Sequence, residues 1–280
     1  MFVLFLMVLV CFIFNVFSCN IFIWWSTFLI MTLLFVLINK SNYSFHGLLN
    51  YFVIQEFLGL VFLLLNFSYF QLFVLFLKVG VSPFHFWIFS VVNSIYGWGV
   101  LWFLTFQKLP FFPVILYFLD FSFYFVILLG IFVCYFQLFV LKSYKSLLVI
   151  SSTESFNWII FLAFFSIFNG FLFFCYYIVL MFFLIEYSSK KNQDFFSWEL
   201  VLLFMNIPLS LNFFIKIFSF ISLLDVSSFV FLFVLFLMFL SMLCFGFWLV
   251  NMSTKFYFYN VLNFNSFYFF IYPVMFLCLI

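Results

Sequence analysis

Four charged side chains and one histidine inside long apolar runs of this sequence are the leading candidates for chemistry. They are Lys78, Lys108, Lys216, Glu56 and His85. A charged group at the centre of a membrane-spanning helix costs about 2.5 to 3.5 kcal/mol on the insertion scale, so a functional reason for keeping it is expected. Amines, carboxylates and imidazoles all take up and release protons. The chemistry indicated by this set is the transfer of protons across a membrane.

Lys78 is the strongest candidate, because LFVLFL precedes it and VGVSPFHFW follows, so its amine lies far from either end of the apolar run. Glu56 lies near the middle of NYFVIQEFLGLVF, one predicted helix earlier, where a carboxylate must either take up a proton or meet a cation. A turn of about one residue joins the two helices. An ion pair between Glu56 and Lys78 is one expectation, and a neutral Glu56 hydrogen-bonded to a neighbouring backbone or serine group is the other.

The remaining three candidates each keep a structural alternative. Lys108 in TFQKLPFFP is close enough to the predicted end of its helix for the amine to reach the membrane surface, and Lys216 in NFFIKIFSF is similar. His85 could carry protons near neutral pH, but a histidine between Phe84 and Phe86 is more often a packed, hydrogen-bonded side chain. Moving one proton against about 150 mV costs roughly 3.5 kcal/mol. Making and breaking one buried Glu/Lys contact can supply that amount.

The elements that position these residues follow from the composition. The 280 residues are 70% hydrophobic and 6% charged, whereas soluble domains carry about 25% charged residues. Phe accounts for 61 residues, Arg is absent and Ala163 is the one alanine, a bias typical of a T-rich organellar gene. We interpret the start, MFVLFLMVLVCFIF, as the first membrane span rather than an Arg- and Ser-rich presequence. The expected fold class is an all-α, polytopic transmembrane helix bundle with discontinuous helices, in which residues 1–280 form a single domain.

Several other function classes find no support in the sequence. The six cysteines are scattered through apolar runs without C-x-x-C or Cys/His spacing, so we expect no metal site. No G-x-G-x-x-G, P-loop or H-E-x-x-H motif occurs, so we expect no catalytic residue on this chain. The net charge of +2 and the lack of a basic stripe predict no nucleic-acid partner. Any redox chemistry that the chain serves must therefore occur on another chain.

Polar residues divide the apolar sequence into about eleven helices, because about 20 apolar residues cross the hydrocarbon core. The predicted spans are 2–19, 20–39, 47–68, 70–91, 94–117, 119–141, 145–166, 168–187, 196–223, 226–250 and 262–280. Helix-breaking residues occur at Gly80 and Pro83 in the fourth span and at Pro208 and Asn212 in the ninth. Such breaks point to a site at the membrane midplane, with simple kinks as the alternative. The polar run SLLVISSTESFNWIIF also predicts a broken seventh helix.

The lysines between the predicted spans fall on one side of this topology. Six of them lie on the side that holds the N-terminus: Lys40, Lys142, Lys145, Lys190, Lys191 and Lys255. Asp120 and Asp225 lie on the other side. Short loops rich in lysine face the cytoplasm or its organellar equivalent. For a protein of an organellar membrane, we therefore expect the N-terminus on the matrix side.

The segment KVGVSPFHFW, from Lys78 to Trp87, resembles the family of mitochondrial NADH dehydrogenase subunit 2, an antiporter-like membrane subunit of respiratory complex I. Weaker matches are NYFVIQE upstream, and LTFQKLPFFPVIL, SSTESFNW and NIPLSLNFFIKIF downstream. Together they cover roughly residues 20 to 220. The resemblance implies a proton-translocating subunit that couples quinone reduction elsewhere in the complex to proton transfer along Lys78, Lys108 and Lys216.

The same resemblance implies that NADH, flavin, iron–sulfur and ubiquinone sites lie on other subunits. It also implies that no small-molecule substrate binds this chain directly, and that its partners are other complex I membrane subunits and the lipid bilayer.

The sequence also departs from the family. The family's acidic partner of the central lysine, expected near Phe28 or Leu29, is missing, and Glu56 is the candidate replacement. A family histidine is replaced by Ser155, with Glu154 beside it. The alternatives are a structural spacer in the same complex and an autonomous cation/proton antiporter.

Overall fold

The computed structural model describes residues 2–39, 45–65, 67–95, 97–140, 143–190, 216–217, 221 and 228–253. Its helices are α1 (Phe2–Phe17), α2 (Ile21–Asn39), α3 (Phe45–Leu64), α4 (Ser68–Val79), α5 (Phe86–Ser94), α6 (Trp98–Leu104), α7 (Phe111–Phe118), α8 (Tyr124–Val140), α9 (Tyr144–Ala163), α10 (Ile167–Lys190) and α11 (Ser228–Ser253). A 3-10 turn, Phe121–Phe123, leads into α8. No strand occurs within these ranges, and the prediction of an all-α membrane helix bundle is confirmed.

Four stretches in the described part of the chain are long and apolar enough to cross a membrane as single helices. They are α2, α3, α8 with its leading turn, and α9. A helix satisfies every backbone N–H and C=O internally, which the hydrocarbon layer requires because it offers no water. The outward side chains of α3, such as Phe52, Val53 and Phe57, are exposed and apolar, as a surface against lipid tails must be.

The fourth predicted span consists of two short helices on either side of Gly80 and Pro83. α4 ends at Val79, and Gly80 takes the left-handed conformation, with a φ of 72°, that glycine adopts without strain. Its N–H donates to the Phe76 carbonyl at 2.9 Å, which satisfies one of the last carbonyls of α4. The chain then turns through Pro83 and enters α5 at Phe86.

The fifth predicted span is also interrupted, which the sequence did not lead us to expect. α6 ends at Leu104, turns occupy residues 105–110, and α7 begins at Phe111. The turns keep local hydrogen bonds, with the Gln107 N–H donating to the Trp102 carbonyl at 3.0 Å. Because no glycine is needed here, the break carries little sequence signal. Pro110 directly precedes α7, where a missing backbone N–H removes no helix hydrogen bond.

The prediction of a broken seventh helix is wrong, because α9 runs without interruption from Tyr144 to Ala163. Its hydroxyl groups turn back onto their own helix. Ser151 donates to the Leu148 carbonyl at 3.1 Å, and Thr153 donates to the Ile150 carbonyl at 2.9 Å. Such bonds satisfy polar side chains within a helix. α9 is buried along its whole apolar length and packs against α5, α8 and α10, so it forms the centre of the described bundle.

Contacts between helix ends agree with the predicted topology, in which successive spans run in opposite directions. The Lys145 amine at the start of α9 donates to the Ile95 carbonyl at the end of α5, at 2.8 Å. Gly99 at the start of α6 lies against the Asn39 side chain at the end of α2. These four helix ends therefore lie at one edge of the bundle.

Other predictions fall outside the described residues. They include the spans 196–223 (apart from 216–217 and 221) and 262–280, the breaks at Pro208 and Asn212, and the side chains of Lys40, Lys142, Lys190, Lys191, Lys255 and Asp225. The matrix-side N-terminus and the single domain over residues 1–280 therefore stay predictions.

Candidate functional site

Lys78 holds its amine between aromatic rings in the interior of the bundle. It lies in the last turn of α4 and is 3% exposed. Its Nζ lies 5.0 Å from the centre of the Phe28 ring on α2 and 5.9 Å from that of Phe111 on α7. Both distances allow a cation–π interaction, in which the ring faces partly compensate a buried positive charge. Gly59 on α3 leaves room for the amine, since an added Cβ there would lie 3.3 Å from Nζ.

The expected ion pair between Glu56 and Lys78 is not formed. Neither Glu56 oxygen lies within 4.0 Å of Lys78 Nζ, and Oε1 instead accepts a hydrogen bond from Thr32 at 3.1 Å. The preceding residue, Gln55, is the one that faces α4, where its amide donates to the Lys78 carbonyl at 2.8 Å. Successive residues of a helix point about 100° apart, so Gln55 and Glu56 cannot both face Lys78.

Lys108 lies in the break between α6 and α7 and is 3% exposed, so its amine does not reach the membrane surface. Its Nζ donates to the Ser152 carbonyl on α9 at 3.3 Å. The amine lies 4.9 Å from the centre of the Phe156 ring and 5.8 Å from that of Tyr177. Lys108 therefore repeats the arrangement of Lys78, with an amine between two aromatic rings.

A small cavity of about 10 Å³ lies beside the first two lysines. Lys78 and Lys108 both line it, together with Trp87, Phe103 and Gln107. Its volume is about the minimum that one water molecule needs. The Gln107 amide donates to the Tyr51 hydroxyl at 2.6 Å, whereas its Oε1 finds no hydrogen-bond partner among the described residues.

Lys216 forms a buried ion pair with Glu154 on α9. Nζ lies 2.5 Å from Glu154 Oε1, and the two side chains are 1% and 0% exposed. It is the one salt bridge among the residues that the structure describes. The Tyr135 hydroxyl on α8 donates to the same oxygen at 2.7 Å, and the Trp158 indole N–H donates to that hydroxyl at 3.2 Å. The amine lies 5.7 Å from the centres of the Tyr135 and Trp158 rings.

His85 is fully buried at the start of α5. Its Nε2 lies 2.6 Å from Gln137 Oε1 on α8, and its ring centre lies 5.3 Å from that of Phe86 and 5.5 Å from that of Phe89. This is the environment of a packed, hydrogen-bonded histidine. A proton-carrying role for His85 stays a prediction. Within the described ranges, no three His, Cys, Asp or Glu side chains come together in a way that could hold a metal ion.

Comparison with known proteins decides the family. No family model matches the chain. The NADH-ubiquinone oxidoreductase chain 2 of Ascaris suum is 51% identical over 278 residues, which are 98% of this chain and 90% of that protein. The protein of the same name from Caenorhabditis elegans is 51% identical over 257 residues, or 91% of each chain. This chain belongs to the NADH-ubiquinone oxidoreductase chain 2 family. The resemblance drawn from KVGVSPFHFW is thereby confirmed.

The family acid that this sequence lacks was expected near Phe28, and the Phe28 ring lies 5.0 Å from the Lys78 amine. Glu56 makes no direct contact with that amine, and its role as the replacement for the missing acid stays a prediction.

Sequence reasoning noted Glu154 only as a neighbour of Ser155 and did not identify it as the partner of Lys216. The available signal was a carboxylate in the middle of a predicted span, the same signal that singled out Glu56.

The break at Ser82 depends on close contact with Gly130 of α8. The Ser82 hydroxyl donates to the Gly130 carbonyl at 2.7 Å, and a Cβ on Gly130 would meet the backbone carbonyl of Ser82. We expect Gly130→Ala to destabilise the chain by about 1–3 kcal/mol, because backbone atoms cannot move aside as a flexible side chain does.

The matched control is Gly246→Ala in α11, where an added Cβ meets nothing within 4 Å among the described residues. The stability of that variant should stay equal or rise by up to about 1 kcal/mol through helix propensity. Thermal unfolding of the two variants in detergent tests this. Equal midpoints would show that the break tolerates a side chain at Gly130.

Proposed function

We propose that this chain is a proton-translocating membrane subunit of respiratory complex I, NADH:ubiquinone oxidoreductase. The observation that carries the proposal is the burial of three lysine amines in the bundle, at Lys78, Lys108 and Lys216. An amine passes protons by alternating between its charged and neutral forms. Buried, ring-lined amines have little structural purpose in a bundle that Phe and Leu already fill, whereas intramembrane ionisable groups are characteristic of proton paths.

The contacts of the described residues support one order of the proposed steps. Lys78 and Lys108 line the same small cavity beside Gln107, and the Lys108 amine reaches the backbone of α9 at Ser152. Lys216 approaches α9 at Glu154, two residues further along. We infer a route from Lys78 through Lys108 to Lys216. Glu56 on α3 and His85 at the start of α5 remain candidates at the side of the route.

The membrane and the partner subunits that we propose for this route come from the family. The two relatives are named as chains of NADH-ubiquinone oxidoreductase. We propose that the chain lies in the mitochondrial inner membrane with its N-terminus on the matrix side, and that other membrane subunits of complex I bind it. We further propose that NADH, flavin, iron–sulfur clusters and ubiquinone act on other subunits, so that this chain contributes no redox group and binds no small-molecule substrate.

Lys78→Met tests the proposed function. Met keeps the length and apolar stem of Lys but cannot carry a proton. We expect complex I with this variant to assemble, to oxidise NADH, and to translocate fewer protons per NADH oxidised, with transfer through this subunit slowed more than about tenfold. Each tenfold change corresponds to about 1.4 kcal/mol in the barrier. Proton uptake and NADH oxidation by proteoliposomes that contain the complex give the ratio.

The matched control is Lys145→Met. The Lys145 amine binds the Asn93 and Ile95 carbonyls at the end of α5, where a cation stabilises a helix C-terminus. This variant should lose a little stability and keep the proton-to-NADH ratio. An unchanged ratio in the Lys78→Met complex would instead favour the structural spacer. Migration of the chain only as a small free species in blue native electrophoresis would favour the autonomous antiporter.

A further inference from the structure

We propose that Glu154 carries protons on this route and acts as the switch that loads and unloads Lys216, a role that rests on the proposed function. The one buried acid–lysine pair among the described residues lies here, at the second half of the route, and not at Lys78 where the sequence led us to expect it. Glu154 is 0% exposed, so its charge is held by the groups that contact it.

The two oxygens of the Glu154 carboxylate have different environments. Oε1 accepts from the Lys216 amine at 2.5 Å and from the Tyr135 hydroxyl at 2.7 Å. Oε2 is buried and has no hydrogen-bond partner among the described residues. An ionised carboxylate offers about four lone-pair sites, and leaving half of them unused in an apolar interior is costly. Oε1 is therefore the oxygen that holds Lys216, and Oε2 is the oxygen that can receive a proton.

The position of Glu154 on α9 places it between the last two lysines. Lys108 binds α9 at the Ser152 carbonyl, and Lys216 binds it at Glu154. Two residues correspond to a rise of about 3 Å along a helix, so both amines reach α9 at nearly the same depth in the membrane. In the proposed route, a proton moving from Lys108 to Lys216 passes α9 at this level. Glu154 is the one carboxylate in the sequence of α9.

The neighbouring hydroxyl groups are less suited to this task. Ser152 donates to the Val149 carbonyl at 2.8 Å, and Ser155 donates to the Ser151 carbonyl at 2.8 Å. Their protons are committed to the helix itself, so these groups can accept hydrogen bonds but must break one to donate. A carboxylate takes up and gives away a proton without disturbing a backbone bond.

The cycle balances in protons and charge. It starts with the Glu154 carboxylate paired with the Lys216 ammonium. A proton from the Lys108 side binds Oε2, and the neutral acid no longer compensates the ammonium. An uncompensated ammonium in an apolar interior is costly, so Lys216 releases its proton to the far side. Glu154 then gives its proton to the neutral amine, and the ion pair forms again. One proton enters and one leaves, with no net change in charge.

Glu154→Gln tests the inference, because it keeps the shape of the side chain and removes its ability to take up a proton. We expect the proton-to-NADH ratio to fall to the value of the Lys78→Met complex. Infrared difference spectra of the working complex should also lose a carboxylic C=O band that is present in the unmodified protein. A purely structural role for Glu154 would leave that band in place. The matched control is Asp120→Asn, the same change in the turn before α8, which should keep both the ratio and the band.

Glu154→Asp covers the case in which the glutamine variant fails to assemble. It keeps the charge for Lys216 and shortens the side chain by one methylene, so we expect assembly, a partly lowered ratio and a shifted infrared band. An unchanged ratio and band in this variant overturns the inference, as does an unchanged ratio in an assembled Glu154→Gln complex. If Lys78→Met lowers the ratio in the same assay, the proposed function survives that result. If Lys78→Met also leaves the ratio unchanged, the proposed function fails as well.

Discussion

Lys108→Met is expected to stabilise this chain and, at the same time, to slow proton transfer through it. The Lys108 amine is buried with one carbonyl bond and two aromatic rings, and no carboxylate of the described residues lies within 4.0 Å of it. A buried ammonium with so little compensation costs several kcal/mol, and well-packed apolar replacements of buried charges have gained about 1–4 kcal/mol in other proteins.

The functional effect has the opposite sign. Without an amine between the cavity and α9, the step from Lys78 to the second half of the route has no carrier. We expect proton transfer through the subunit to slow more than about tenfold, equivalent to at least about 1.4 kcal/mol. Thermal unfolding of the purified chain and the proton-to-NADH ratio of the complex measure the two effects. Lower stability together with an unchanged ratio would mean that Lys108 is a packing residue, as the spacer alternative requires.

Lys216→Met is expected to destabilise the chain by about 3–5 kcal/mol, the reverse of Lys108→Met. This change removes one partner of a buried ion pair and leaves the Glu154 carboxylate with the Tyr135 hydroxyl as its remaining described donor. Breaking a buried pair in this way costs more than removing both charges, because the remaining charge has lost its compensation. The opposite signs at the two lysines follow from one difference, the presence of a contacting carboxylate.

The double variant Lys216→Met with Glu154→Gln separates this cause from a loss of packing. Removing both charges should recover most of the lost stability, giving a strong coupling energy in a double-mutant cycle. The cycle needs four proteins: the unmodified chain, the two single variants and the double variant. Thermal unfolding of all four in the same detergent gives the coupling energy. Purely additive effects would show that Lys216 stabilises the bundle through its stem and not through its charge.

The sequence by itself determined the fold class and the family. An all-α bundle follows from the composition, because a chain with 6% charged residues cannot form a water-facing surface and the hydrocarbon layer admits backbone only in self-satisfied helices. The family follows from ten residues, KVGVSPFHFW, that combine a charge, a helix break and an aromatic run. Lys78, Lys108 and Lys216 were identifiable because a buried charge is costly wherever it lies along a span.

Some local features were only partly determined by sequence. Gly80 marked the first break, because a left-handed residue at the end of a helix favours glycine. The second break, at residues 105–110, has no such marker, since its turns use ordinary backbone conformations and Pro110 is equally compatible with the start of a helix. The hydroxyl groups of α9 gave a false signal of a break, because each can bond its own helix instead.

Only the tertiary structure decided which acid meets which lysine. Phe and Leu occur on every side of these helices, so the sequence does not show which face of a helix is turned inward. A rotation of about 100° separates Gln55, which faces α4, from Glu56, which faces Thr32. The pairing of Glu154 with Lys216 joins residues 62 positions apart, and it depends on how α9 lies against its neighbours. Apolar runs determine that a segment crosses the membrane, whereas packing determines which of its side chains meet.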